Sequence, residues 1–247
     1  MRDEMHQKIT EVERNHWWYR ARRNILIDFL KGHLPSGRKI LDLGCGTGFL
    51  LEELNHWGEG WGIEASPIAR AACKESSVPR VFAPDEFRRG ERQTFDIVCL
   101  FDVLEHVENE EAFFQEWSNC FHSETKLVVS VPAFPLLWGN HDEASGHYRR
   151  YTRKTLHKTL GKCGYHEVKG TYFNTLLFPL VLGSRTSERF RRKKIPHGDL
   201  DLPGRWANET LYRIFSLESK WAERSRLPFG VSYLGIFERM GNETGRA

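Results

Sequence analysis

Apolar residues fall along this chain in short runs, separated by longer stretches of helical spacing. Lys39–Leu43 (KILDL) is apolar apart from its first residue and Asp42. Residues 60–63, 81–83, Phe95–Phe101 and 126–132 are further short apolar runs. Strands buried on both faces read this way, as in a parallel sheet covered by helices. Residues 49–54 (FLLEEL) open a helical pattern directly after the first run. Residues 11–31 place Val12, Trp18, Ile25, Leu26, Phe29 and Leu30 near helical spacing, predicting one helix. Residues 208–225 do the same with Leu211, Ile214, Phe215, Leu217 and Trp221. Two later runs, 166–173 and Ser232–Arg239, predict two more strands.

The turn after the first strand carries the chemistry. Gly44, Gly46 and Gly48 alternate with Cys45 and Thr47 between a strand and a helix start. Glycine belongs where backbone takes positive φ or passes close to a ligand, and a helix N-terminus beside it makes a nucleotide-sized cradle. A dinucleotide cradle wants G-x-G-x-x-G, but Phe49 stands where its third glycine would fall. Asp42 precedes the first glycine by two. Glu64 ends the second strand about 20 residues beyond Gly44, where a carboxylate can accept both hydroxyls of a ribose.

This stretch resembles the first motif of the class I S-adenosyl-L-methionine (SAM)-dependent methyltransferases. The fourth strand with Asp102-Val103-Leu104-Glu105-His106-Val107 resembles the signature of their ubiquinone-type branch. Residues 15–23 (NHWWYRARR) and 141–152 (HDEASGHYRRYT) resemble elements of bacterial members that serve glycan, lipid or secondary-metabolite pathways. The resemblance implies an α/β fold: a Rossmann-like, seven-stranded, mostly parallel sheet with helices on both faces. A single domain then spans 1–247, with an N-terminal helical cap (1–35) and a core (36–174). A helical lid insertion between strands six and seven (175–231) and a last strand and tail (232–247) complete it. It implies SAM as cofactor, contacted by Asp42, Gly44, Cys45, Gly46, Gly48, Glu64 and Ala65. It also implies Asp85, or Glu86, near the adenine, and Phe101 and Asp102 beside the methionine part.

The loop after the fifth strand lies beyond the carboxyl ends of the strands, where open α/β sheets build their sites. Methyl transfer from SAM is mainly a matter of positioning, but a hydroxyl acceptor also needs a base. His147 is the first candidate and His141 the second, since histidine titrates near neutrality; either could equally serve only to hold the loop. His106, Tyr148, Arg149 and Arg150 are expected to meet the acceptor, with Arg149 and Arg150 suited to clamp an anion. Arg150 and Tyr151 could equally anchor the loop. Asp102-x-x-Glu105-His106 is similar to the E-x-x-E-H element of ubiquinone-pathway O-methyltransferases, which could hold a divalent ion. The simpler account has Asp102 capping a helix, His106 lining the pocket, and no metal.

Composition trims the remaining options. The chain has 247 residues, a formal charge of +3 and five scattered cysteines without a C-x-x-C pair. That pattern fits free thiols in a cytoplasmic protein rather than disulfides or zinc. No secretory leader is expected. Basic residues concentrate in 146–194, where Glu167 and Glu188 are the only acids. The apolar run 175–183 there falls short of the ~20 residues that span a bilayer. With Arg185, Arg189, Arg191, Arg192, Lys193 and Lys194 it predicts either peripheral contact with an anionic inner membrane face or a buried lid helix with a solvated basic loop. No nucleic acid partner is expected. The function expected is methyl transfer to a small-molecule, sugar or lipid-linked acceptor, as O-methylation. The alternatives are use of SAM without methyl transfer, or SAM binding without catalysis.

Overall fold

The computed structural model describes residues 3–76, 78–90, 93–191 and 201–240. Seven strands form one sheet: β1 (Lys39–Leu43), β2 (Glu59–Ile63), β3 (Val81–Phe82), β4 (Phe95–Phe101), β5 (Phe121–Pro132), β6 (Tyr165–Phe173) and β7 (Ser232–Arg239). Their order is β3-β2-β1-β4-β5-β7-β6. The first five run parallel, and β7 is antiparallel to both β5 and β6. β7 enters last in sequence yet lies between β5 and β6.

The alternation of side chains across each strand explains two cores. Ile40, Ile97, Cys99, Val128, Leu234 and Ile236 face one side. There they meet α2 (Trp17–His33) and α3 (Phe49–Trp57), through Ile25, Leu26, Phe29, Leu51 and Leu54. Leu41, Leu43, Val98, Leu100, Leu127 and Val129 face the other. They are covered by α6 (Glu110–Glu116) and α8 (Arg153–Lys162), through Phe114, Leu156 and Leu160. α4 (Pro67–Glu75) and α5 (Pro84–Arg89) follow β2 and β3. Ser66 caps α4, with Pro67 pre-set at its first position.

The helix expected over 11–31 is two helices, α1 (Asp3–Val12) and α2. The break has a local cause. Glu13 turns inward to the hydroxyl of Thr47, and His16 Nδ1 accepts the Trp18 N–H at 3.2 Å as the cap of α2. The loop expected after β5 holds a short helix, α7 (Asn140–Ser145). Among the described residues of the insertion between β6 and β7 are the helices α9 (Phe178–Arg191), α10 (Arg205–Ser216) and α11 (Ser219–Arg224). The helix expected over 208–225 is therefore also two, and Leu217 and Trp221 are exposed rather than packed. The insertion is clasped to the N-terminal helices. Asn208 accepts the Trp17 N–H at 2.9 Å and donates to Asn15 O at 2.8 Å, and Asn24 donates to the Tyr212 hydroxyl at 3.1 Å. No described helix is long and apolar enough to cross a membrane.

Candidate active site

A cavity of about 1070 Å³ opens over the carboxyl ends of β1, β2 and β4. That is just above the usual range for small-molecule sites, with room for a cofactor and a second molecule. The glycine turn forms its floor. Gly44, Gly46 and Gly48 have φ of 89°, 57° and 81°. A Cβ on Gly44 would lie 2.6 Å from Val103, whereas one on Gly46 would meet nothing within 4 Å and would stand in the cavity. Gly48 caps α3 and does not itself line the cavity.

Carboxylates surround this floor. Glu64 accepts the Gly46 N–H at 2.8 Å with one oxygen and the Ser66 N–H at 2.7 Å with the other. It thus braces the turn as well as facing the cavity. Asp42 is buried, its Oδ1 has no hydrogen-bond partner, and it lines the cavity. Burial pushes its carboxyl up to about 7, against the pull of Arg22 and with help from Glu64. Asp102 has φ of 58°, an uncommon conformation for a residue with a Cβ. It accepts from Ser130 Oγ at 3.2 Å and pairs with Arg22 at 2.8 Å. Cys45, Ala65 and Phe101 also line the cavity. Hydrogen bonding to Cys73 and burial push the Cys45 thiol up.

Arg22 was not singled out from the sequence. It comes from α2, and its Nε and Nη2 lack hydrogen-bond partners even though Nη2 pairs electrostatically with Asp102. Glu13, Trp17, Trp18 and Tyr19 join it in the cavity wall. Burial pushes Glu13 up to about 7 despite its bond to Thr47. A guanidinium whose Nε lacks a hydrogen bond and a buried carboxyl whose Oδ1 lacks one, beside positive-φ glycines, fit SAM, which carries both a carboxylate and an ammonium.

Past β5, the wall is built by His106, His141, Ser145, His147 and Arg150, with Asn174, Leu177, Leu180 and Val181 from the far side. His147 Nδ1 lies 2.9 Å from Asp142 Oδ1, and Arg150 Nε donates to the same oxygen at 2.8 Å. Arg150 also donates to Ala133 O at 3.1 Å. The rings of His106 and His147 meet edge-on at 4.7 Å. Burial, then the neighbouring His147, push His106 down to about 3, so it stays neutral. Glu105 is 0% exposed with neither carboxyl oxygen partnered. Burial and Asp102 hold it well above the usual carboxylate range. Ligand atoms of Glu105, His106 and His147 lie within 4.8 Å of one another. Asp102 is not in that group; it pairs with Arg22 and accepts from Ser130. Among the described residues the Asp102-Glu105-His106 set does not come together as one group, and no step below rests on a metal.

Some expected site residues stand elsewhere. Asp85 lies on the exposed face of α5, pairs with Arg88 one turn on, and does not line the cavity; nor does Glu86. Arg149 turns away to Glu110 and the Glu108 carbonyl, both at 2.8 Å. Tyr148 is exposed, with its N–H held by Glu105 O at 2.7 Å. Tyr151 is buried and anchors the loop through Leu104 O and Glu110. Arg185, expected in the basic cluster, is buried and paired with Glu188 at 2.6 Å. Arg192, Lys193 and Lys194 lie outside the described residues, as do the side chains of Arg189 and Arg191.

Comparison with known proteins agrees with this architecture. A family model described as a methyltransferase domain matches residues 14–169. The mitochondrial ubiquinone biosynthesis O-methyltransferase of Schizosaccharomyces pombe is 35% identical over 111 residues, 41% of this chain and 40% of that protein. The ubiquinone biosynthesis O-methyltransferase of Xanthomonas axonopodis pv. citri is 27% identical over 134 residues, 47% of this chain and 56% of that protein. The chain thus spans about half the length of the curated relatives it matches. A SAM-dependent methyltransferase from Archaeoglobus fulgidus superposes with a TM-score of 0.53 at 17% identity, covering 88% of this chain and 94% of that one. One from Mesorhizobium loti gives 0.54 at 15%, covering 92% and 100%. At such identities these two structures speak for the fold. The family match covers more than half of the chain and includes the glycine cradle, so the chain belongs to the class I SAM-dependent methyltransferases.

Proposed function

We propose that this chain transfers the methyl group of SAM to a hydroxyl of a small-molecule acceptor. The observation that carries the reading is one continuous cavity with two unlike halves. One half holds glycines and buried polar groups with hydrogen-bonding capacity left over, the other a carboxylate-held histidine. Glu64 would take the ribose hydroxyls, while Asp42, Arg22 and Asp102 would hold the ammonium and carboxylate of the methionine part. When bound, SAM supplies a methyl on a cationic sulfur, which leaves by in-line displacement with the bonding pair staying on sulfur. The chain's task is to orient the acceptor oxygen, exclude water and remove the hydroxyl proton. His147 is the base, with His141 beside it in the same wall. Apolar Leu177, Leu180 and Val181 of the insertion enclose the acceptor, as expected of a lid.

The relatives named for ubiquinone biosynthesis support a phenolic hydroxyl on an apolar scaffold. A lipid-linked acceptor reached at an anionic membrane face is favoured by one further observation: Leu180 lines the cavity yet is 63% exposed, beside exposed Leu176. Such a protein would be cytoplasmic, touching the inner face from outside the bilayer. The test is a search for an extracted product gaining one methyl in cells with and without the chain, paired with release of S-adenosylhomocysteine (SAH) by the purified protein. SAH release with no methylated product would favour use of the cofactor without methyl transfer.

A further inference from the structure

Asp142 lies in the 141–152 element but is given no role by the sequence, and it sits behind His147. Gly146, at φ 72°, reverses the chain after α7 and brings the His147 ring back onto Asp142. Asp142 is 0% exposed and bonded through both oxygens. One oxygen takes His147 Nδ1 and Arg150 Nε, and the other takes the Gly139 N–H at 2.9 Å. An ionised carboxylate only accepts hydrogen bonds, so Nδ1 must carry the proton. In the neutral ring that leaves Nε2 as the acceptor. On its other sides the ring meets His106 edge-on and has the His141 ring 5.9 Å away; a Glu105 oxygen lies within 4.8 Å of a ring nitrogen, and burial favours the uncharged form of that carboxyl. Burial favours the neutral form of Asp142, but the hydrogen bonds from His147 and Arg150 outweigh it and hold the carboxyl well below the usual range.

We propose that Asp142 is a positioning residue that fixes His147 in the Nδ1–H form, so that Nε2 can take the acceptor's hydroxyl proton. The inference rests on the reading of the site as an O-methyltransferase. The proton leaves the acceptor oxygen for Nε2 as that oxygen bonds carbon. Asp142 balances the imidazolium, which later gives its proton to solvent. Arg150 keeps Asp142 charged throughout. A carboxylate that served only to cap α7 and pair with Arg150 would not need the ring at all.

The test reads the ring directly. Nitrogen-15 spectra of histidine-labelled protein without cofactor, with His147 assigned by H147Q, should show Nδ1 protonated and Nε2 bare at neutral pH. Asp142→Asn should shift the signal toward the Nε2–H form. With methyl-labelled SAM and a small-molecule extract of the source cells, the same variant should lose about 10²-fold in label transfer. Its SAH affinity should stay unchanged, showing that it is folded. A wild-type ring protonated on Nε2 overturns the proposal, as does Asp142→Asn transferring label at the wild-type rate. A wild type that transfers no label refutes the proposed function instead, and the ring spectrum still decides the role of Asp142.

Discussion

Replacing Glu64 with alanine should weaken SAH binding and loosen the turn at once, and the two effects can be separated. A carboxylate offers about four lone-pair sites. The Gly46 and Ser66 N–H groups take two, at 2.8 and 2.7 Å, leaving two for the ribose hydroxyls. Hydrogen bonds to a charged group contribute about 1.5–3 kcal/mol. Loss of even one ribose contact should therefore weaken SAH by about 10- to 150-fold, at 1.4 kcal/mol per decade, and loss of both by more. The two released N–H groups border a cavity that admits water, so their cost is smaller, about 1–2 kcal/mol. In a chain of this size that lowers Tm by about 2–8 °C. Calorimetric titration with SAH and a thermal melt of the free protein measure the two terms independently. A variant with a lower Tm and an unchanged SAH affinity would refute the reasoning, leaving Glu64 as a brace of the turn alone.

Gly46→Val should abolish SAH binding, because it adds a branched side chain at φ 57° and fills open cavity, whereas Tm should fall by only a few degrees; retained affinity in titration would sink the placement of the cofactor. Asp42 and Glu13 titrate near 7 when folded, above their unfolded values of 3.8 and 4.5, so the folded state binds their protons more tightly. Their contribution is then fully present below pH 4 and is lost as pH rises through 7; denaturant melts of Asp42→Asn should show a flatter loss between pH 4 and 7 than wild type. EDTA should leave methyl transfer intact, and activity lost to chelator and restored by Mg²⁺ would reverse that expectation. If the acceptor is lipid-linked, wild type should bind anionic vesicles in a salt-sensitive way, and replacing Arg191, Arg192, Lys193 and Lys194 by Gln should abolish this without changing SAH affinity. Indifference to such vesicles at low salt would point to a soluble acceptor.

The sheet was legible in the sequence because buried strands are written locally. β1, β4 and β7 stand on the residues their apolar runs predicted, and the glycine turn announced its own backbone. What failed to show was set by contacts far along the chain. Glu13 leaves the helix for Thr47, 34 residues on, and no local periodicity records that bond. Arg149 and Arg150 are adjacent and chemically identical, yet one reaches Glu110 and the other Asp142. Arg22 carried a weak signal, as one of three arginines after the Trp-Trp-Tyr run, but spacing could not say which would face the cavity. Asp85 stands apart from the cavity for the opposite reason: in the first turn of a short helix it has an arginine one turn on to pair with.

The position of β7 has a consequence for biosynthesis. Among the described residues β6 pairs with no strand but β7, and β7 is made after the whole insertion. A chain leaving the ribosome can therefore lay down β1 to β5 in order, but β6 must wait with both edges unpaired. Such an edge is a template for wrong pairing until the last strand arrives. The insertion that walls the cavity thus also sets the length of that wait. Shortening it should speed the final assembly of the sheet even as it opens the acceptor side.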